Sequence, residues 1–137
     1  MRGNTMSTNS TIAVFNEWGD VRSVYCHWDG YVEWNGKMLD LHFNSLNKAL
    51  ALVDGGDISA INEGGVVDYY KDKGDDWESV KPEVYNNIEE LMEEMKYSTN
   101  IEFVYVYVNG LGWTVRDVNN EKSGLLSDFL KEIEKVA

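Results

Sequence analysis

Two periods run through the 137 residues of this chain, a two-residue alternation of apolar and polar positions that marks strands and a three-to-four-residue spacing that marks helices. Thr11 to Asn16 is β-branched and aromatic, Glu17-Trp18-Gly19-Asp20 carries turn chemistry, and Val21 to Trp28 reads as a return strand. The fold therefore opens on a hairpin. Residues 1–10 show no periodicity and hold two methionines, so they are expected to form a flexible N-terminal arm, with Met6 as an alternative start. Asp29-Gly30 and Asn35-Gly36 are tight-turn signals, because Gly accepts a positive φ and Asp or Asn bonds its own backbone. Tyr31-Val32-Glu33-Trp34, between them, reads as short and extended.

The period then widens. Leu46, Ala49, Leu50 and Val53 fall at helical spacing behind a cap at Asn44 or Ser45, and Gly55-Gly56 ends the run. Asp57 to Ile61 is expected to add one more helical turn. Gly64-Gly65 breaks the chain before a candidate strand from Val66 to Tyr70, and a charged loop follows from Lys71 to Glu78. Beyond Pro82, Asn86-Asn87-Ile88-Glu89 reads as a helix start, with Ile88, Leu91, Met92 and Met95 as one apolar stripe. Ile101 to Val108 is apolar on both alternating faces, the mark of a central strand covered on both sides. Asn109-Gly110 turns it back into Trp113 to Arg116, and Ser123 to Val136 repeats Leu126, Phe129, Leu130 and Ile133 as an amphipathic helix. Residues 11–137 are thus expected to form a single α+β domain, an antiparallel sheet of about four to six strands with two or three helices. Hairpin signals outnumber βαβ signals, which disfavours a doubly wound parallel sheet.

Composition narrows the function. A chain of this length buries about two-thirds of its unfolded surface and needs no disulfide or metal staple. Cys26 is the single cysteine and there are two histidines, too few for a four-ligand zinc site, so a reducing cytoplasm is expected. No apolar run is long enough to span a bilayer, and no signal-peptide core is present. With 24 acidic against 12 basic residues the net charge is −12, which opposes direct binding to a polyanionic duplex. Thirteen acidic and three basic residues lie between Asp54 and Glu94. On the predicted helix there, Glu89, Glu90, Glu93 and Glu94 oppose the apolar stripe and form like-charge i,i+4 pairs that cost a few tenths of a kcal/mol each. The bland reading is a solvated face that keeps the chain soluble. The sharper one is an acidic surface aimed at a basic groove, a nucleic-acid mimic that inhibits the protein bearing that groove. Asp72 to Glu78 clusters carboxylates but fails EF-hand spacing, and no metal or cofactor is expected.

The densest chemistry is Tyr25-Cys26-His27-Trp28-Asp29-Gly30-Tyr31, followed by Trp34. On a strand, Tyr25, His27 and Asp29 share one face and Cys26 and Trp28 the other, which parts the thiol from the neighbouring imidazole. His42 could still approach Cys26; an inert buried thiol is the simpler reading. His27 with Asp29 is either an oriented imidazole, and then an acid–base pair, or part of a capped turn. These residues also carry a resemblance. Thr8 to Ala13, Val24 to Tyr31, Asn35-Gly36-Lys37, Leu39 and Gly55-Gly56-Asp57-Ile58-Ser59 resemble a family of small uncharacterised proteins encoded by bacteriophages and prophages, over about residues 8–77. In that family an aromatic or His precedes Arg-Asp-Arg-Gly-Glu, where this chain has Tyr70-Lys71-Asp72-Lys73-Gly74-Asp75-Asp76-Trp77. Lys for Arg keeps the charge and loses the bidentate fork. This chain also continues past the family's usual end by its last helix. The resemblance implies a phage accessory role and, by association, counter-defence in an infected bacterium, without an assigned activity.

Set side by side, Tyr25, His27, Trp28, Asp29 and Tyr31 with Tyr70, Lys71 and Lys73 would make an aromatic pocket with ammonium groups for a small nucleotide-like ligand. The alternative is that these aromatics fill the core. No glycine-rich phosphate loop is present. The leading expectation is a non-enzymatic, ligand-sequestering module, with the acidic inhibitor of a basic host protein second and an enzyme third; such modules are often homo-oligomers.

Overall fold

A computed structural model describes residues 7–16, 19–98 and 100–136, so residues 1–6 of the expected arm and Glu17-Trp18 of the first turn lie outside the described residues. The hairpin is present as β1 (Asn9–Phe15) and β2 (Val21–Cys26), paired from Ser10 with Cys26 to Phe15 with Val21. The strand starts at Asn9, and Asn9 and Ser10 are buried. β6 (Ile101–Val108) lies on the other side of β1 and runs parallel to it, so the first and sixth strands form the middle of the sheet. β6 turns antiparallel into β7 (Gly112–Asp117) and then β8 (Lys122–Leu125).

At the other side, β3 (Ile58–Asn62) joins the Cys26 end of β2 in parallel and pairs with β4 (Val66–Tyr69), while β5 (Glu83–Tyr85) joins the Val21 end. Among the described residues this makes a mixed sheet of eight strands, in the order β4-β3-β2-β1-β6-β7-β8 with β5 beside β2, and five α-helices. The expected antiparallel sheet of four to six strands with two or three helices is therefore corrected. The cause is long-range: two parallel pairings join segments whose neighbours in sequence are hairpins or helices.

The helices are α1 (Lys37–His42), α2 (Leu46–Asp54), α3 (Trp77–Val80), α4 (Ile88–Lys96) and α5 (Leu126–Val136). Strand alternation sends Ile12, Val14, Val24, Cys26 and Tyr105 to one face, where they pack against Leu39, Leu52, Val53 and Leu126 of α1, α2 and α5. Ala13, Val21, Val104 and Val106 face the other way, against Leu91 of α4. The central strand is covered on both sides, as its composition implies. Ser45 caps α2 by accepting from the Lys48 N–H, and Asn87 caps α4 by accepting from the Glu90 N–H. Glu90 reaches back to the Asn86 N–H at 3.0 Å, which completes a reciprocal cap.

Three local expectations are overturned. Asp57 to Ile61 is not a helical turn, because Ile58 is the residue that pairs with Cys26. Val32–Gly36 is a π-helical turn that leads directly into α1, with Met38 and Leu39 buried beneath it. The last helix starts at Leu126, since Lys122–Leu125 is spent on β8.

Candidate functional site

The chain leaves β2 at Cys26 and is then held atom by atom. The His27 and Trp28 N–H groups donate to the carbonyls of Ile58 and Ser59, both at 3.0 Å, so the tip of the motif rests on β3. Asp29 stands in the left-handed region at φ 58°, a conformation that costs a non-glycine residue free energy and persists where neighbours impose it. Those neighbours are explicit. The Asn35 side chain donates to the Trp28 carbonyl at 3.3 Å, the Asn35 N–H reaches the Asp29 carbonyl at 3.2 Å, and the Gly30 N–H donates to Thr8 O at 2.8 Å. The Tyr31 hydroxyl donates to the Asp29 carboxylate at 2.9 Å. Gly30 has no room for a Cβ, which would sit 2.9 Å from both Thr8 O and Ser10 Cβ.

The fixed turn sorts the motif into two groups. Cys26 is fully buried beside Asn35 and Ser10, and burial pushes its thiol up to about 12, so it is inert as a nucleophile at neutral pH. His42 packs instead on Phe43 and Gly65. Trp34 donates its indole N–H to Ile61 O at 2.7 Å and packs on the core. Tyr25, His27 and Trp28 form the outward group. The Tyr25 hydroxyl lies 2.7 Å from His27 Nδ1, and the His27 and Trp28 rings meet edge to face at 4.6 Å. The two groups share one hydrogen bond, in which the phenol donates when the Nδ1 nitrogen carries no proton. The imidazole is thus oriented by Tyr25, while Asp29 is engaged by Tyr31.

The second segment arrives through Asp57 and Ser59. Asp57 accepts from the Tyr25 N–H through its carboxylate at 2.9 Å and from the Tyr70 N–H through its carbonyl at 3.1 Å. Burial raises the Asp57 carboxyl, and burial, with Tyr70 next, raises the Tyr25 phenol. Tyr70–Lys73 is a short 3-10 turn, and Lys73 Nζ lies 3.3 Å from the Ser59 hydroxyl and 5.8 Å from the centre of the Tyr70 ring. Tyr25, His27, Tyr70 and Lys73 are therefore brought together, with Trp28 joined to them through Ser59. Lys71 is not. Its ammonium lies over Tyr69 and Trp77, at 5.2 and 5.9 Å from the ring centres.

Asp57 and Ser59 were missed as site residues, although Gly55-Gly56-Asp57-Ile58-Ser59 belongs to the string that carries the resemblance. Clefts of about 300 to 720 Å³ lie away from these aromatic residues, around α4, α5 and Trp77. On α4, Glu89, Glu93 and Glu94 are exposed, and none has an ion-pair partner among the described residues. Among those residues, no helix is long and apolar enough to cross a membrane, and no group of three His, Cys, Asp or Glu is placed to hold a metal ion. Comparison with family models, curated proteins and solved structures returned no match to this chain.

Proposed function

We propose that the protein is a non-enzymatic binding module that takes a small nucleotide-like ligand on the surface of Tyr25, His27, Trp28, Tyr70 and Lys73. The observation that carries this reading is Ser59, which accepts from the Trp28 N–H with its carbonyl and meets Lys73 Nζ with its hydroxyl. The Lys73 ammonium and the turn that carries the Tyr25, His27 and Trp28 rings are thereby tied to the same residue of β3. Ring faces stack bases at about 1–3 kcal/mol each, and a lysine meets phosphate as a point charge. Asp29 and Tyr31 then act as the frame of the turn, and Lys71 serves the Tyr69–Trp77 packing. The inert thiol, and an imidazole whose hydroxyl partner is the Tyr25 phenol, itself raised by burial, favour binding over catalysis. The resemblance to phage-encoded proteins supports a counter-defence role in the cytoplasm of an infected bacterium, with the ligand a nucleotide-type signal that is sequestered.

A second reading rests on α4, whose exposed Glu89, Glu93 and Glu94 would steer the chain onto a basic groove of a host protein while Glu90 closes the cap. Native mass spectrometry of protein purified from bacteria, with thermal shifts against nucleotides and cyclic dinucleotides, separates the two. A released or stabilising nucleotide that is lost in His27→Ala and Lys73→Ala supports the first reading. No ligand, together with a host protein captured by the native chain and lost on Glu89→Gln/Glu93→Gln/Glu94→Gln, overturns it for the second.

A further inference from the structure

A cleft of about 720 Å³ lies between α5, the Val32–Gly36 turn and the β6-β7-β8 side of the sheet, among residues that the proposed nucleotide surface does not use. Its floor is apolar: Val32, Phe103, Phe129 and Ile133. Carboxylates from three separate elements line it as well, Glu33 from the π-turn, Asp117 from the end of β7, and Asp128 and Glu132 from α5. Asp128 and Glu132 are an i,i+4 like-charge pair, which a helix selected for stability alone avoids. Glu132 has one long, exposed contact with Lys135 at 3.8 Å, and Asp117 accepts from Asn120. Glu33 and Asp128 have no ion-pair partner among the described residues.

One cation already occupies this cleft. Lys122 Nζ lies 5.9 Å from the centre of the Phe129 ring, so an ammonium of the chain itself sits over an aromatic face that carboxylates surround. Four lining carboxylates against the one lining ammonium leave the cleft negative, with Lys135 touching Glu132 from outside the lining. They do not converge as metal ligands, since no group of three is placed to hold an ion among the described residues. An apolar floor would moreover be wasted on a bare metal ion. A nucleotide's phosphates would be repelled. The volume is that of a small-molecule site, and a lining of four apolar and four acidic residues among ten is complementary to a cation that carries hydrocarbon.

We propose that this cleft binds a small organic cation, an ammonium or guanidinium group on an apolar body, whose hydrocarbon covers Phe103, Phe129 and Ile133 and whose charge is met by Glu33, Asp128 and Glu132. Lys122 is then an internal competitor for the Phe129 face.

Calorimetric titration with agmatine and with phenethylamine at physiological salt, with backbone amide shifts recorded in parallel, tests the proposal. Saturable one-to-one binding of either probe is expected, with shifts confined to Val32, Glu33, Phe103 and residues 117–133. Asp128→Asn with Glu132→Gln weakens it by about tenfold or more, the scale of a lost charge-assisted contact. Lys122→Ala tightens it, whereas Lys96→Ala on α4 changes nothing. Both carboxylate positions are exposed, so these variants fold. Failure of both probes to saturate overturns the proposal. So does equal weakening by Glu89→Gln/Glu93→Gln on the opposite face of the sheet, which would mark diffuse counterion binding.

Discussion

The Tyr105 hydroxyl donates to the Gly30 carbonyl across 2.6 Å and joins the middle of β6 to the turn that displays His27 and Trp28. Both partners are buried, so the site is anchored on the central strand. Tyr105→Phe leaves that carbonyl without its donor and is expected to cost about 1–3 kcal/mol. Urea unfolding reads the loss. Hydrogen exchange at Gly30 and Tyr31 should rise more than exchange in α2, because the anchor is local.

Gly30 is fixed by space. A Cβ there meets Thr8 O and Ser10 Cβ at 2.9 Å and the Asn9 carbonyl carbon at 3.1 Å, and the start of a central strand has little room to yield. Gly30→Ala should cost about 1–3 kcal/mol as overpacking. At Gly124 an added Cβ reaches only Phe129 Cε1 at 3.5 Å, an ordinary contact, so Gly124→Ala should stay within about 0.5 kcal/mol. Thermal melts of the two variants make the comparison.

How far the residues themselves foretell this arrangement depends on range. Hairpins β1–β2 and β6–β7 are legible because their turns are local chemistry, and α2 and α4 because capping and apolar spacing agree. Ile58 and Ile61 sit three apart and fit a helical turn equally well, and only the parallel pairing of Ile58 with Cys26 decides for a strand. Lys37–His42 is too short to announce a period, and its helix is fixed by burial of Met38 and Leu39. Within the site, alternation correctly parts Cys26 from Tyr25 and His27, but it puts Trp28 with Cys26, whereas Trp28 is exposed against the His27 ring because the chain has left the strand. It cannot foresee that Asp29 leaves the strand in a left-handed conformation, nor that Lys71 and Lys73 point to different rings.

Cys26 provides a test of burial by reactivity. Its thiol is held near 12 in the fold, whereas an unfolded chain titrates near ~8.5. The folded state therefore keeps its proton as the pH rises between these values while the unfolded state loses it, and stability falls through that window. At pH 8 the native protein should resist a disulfide thiol reagent over the time in which the urea-unfolded chain reacts fully.

Asp57 has the same sign in acid. Burial raises its carboxyl and the charge of Glu83 adds to this, against the opposing Tyr25 N–H, so its ionised form works against folding at neutral pH. Asp57→Asn keeps an acceptor for that N–H and should raise the Tm at pH 7. The advantage should shrink as the pH falls through the raised value towards the unfolded carboxyl near ~3.9, where the native side chain is neutral too. A series of melts from pH 7 to pH 4 reads the convergence.

The parallel junction of β1 with β6 sets an order of events during synthesis. Asn9 must wait for Ile101 before the middle of the sheet can close, and Phe15 must wait for Val108. Until then β1 has a partner on one side only, and its other edge, flanked by the apolar faces of Ile12 and Val14, stands open to any strand it meets. A nascent chain arrested before residue 101 therefore holds hairpins and helices without a closed core. β6 is the segment whose emergence ends that exposure.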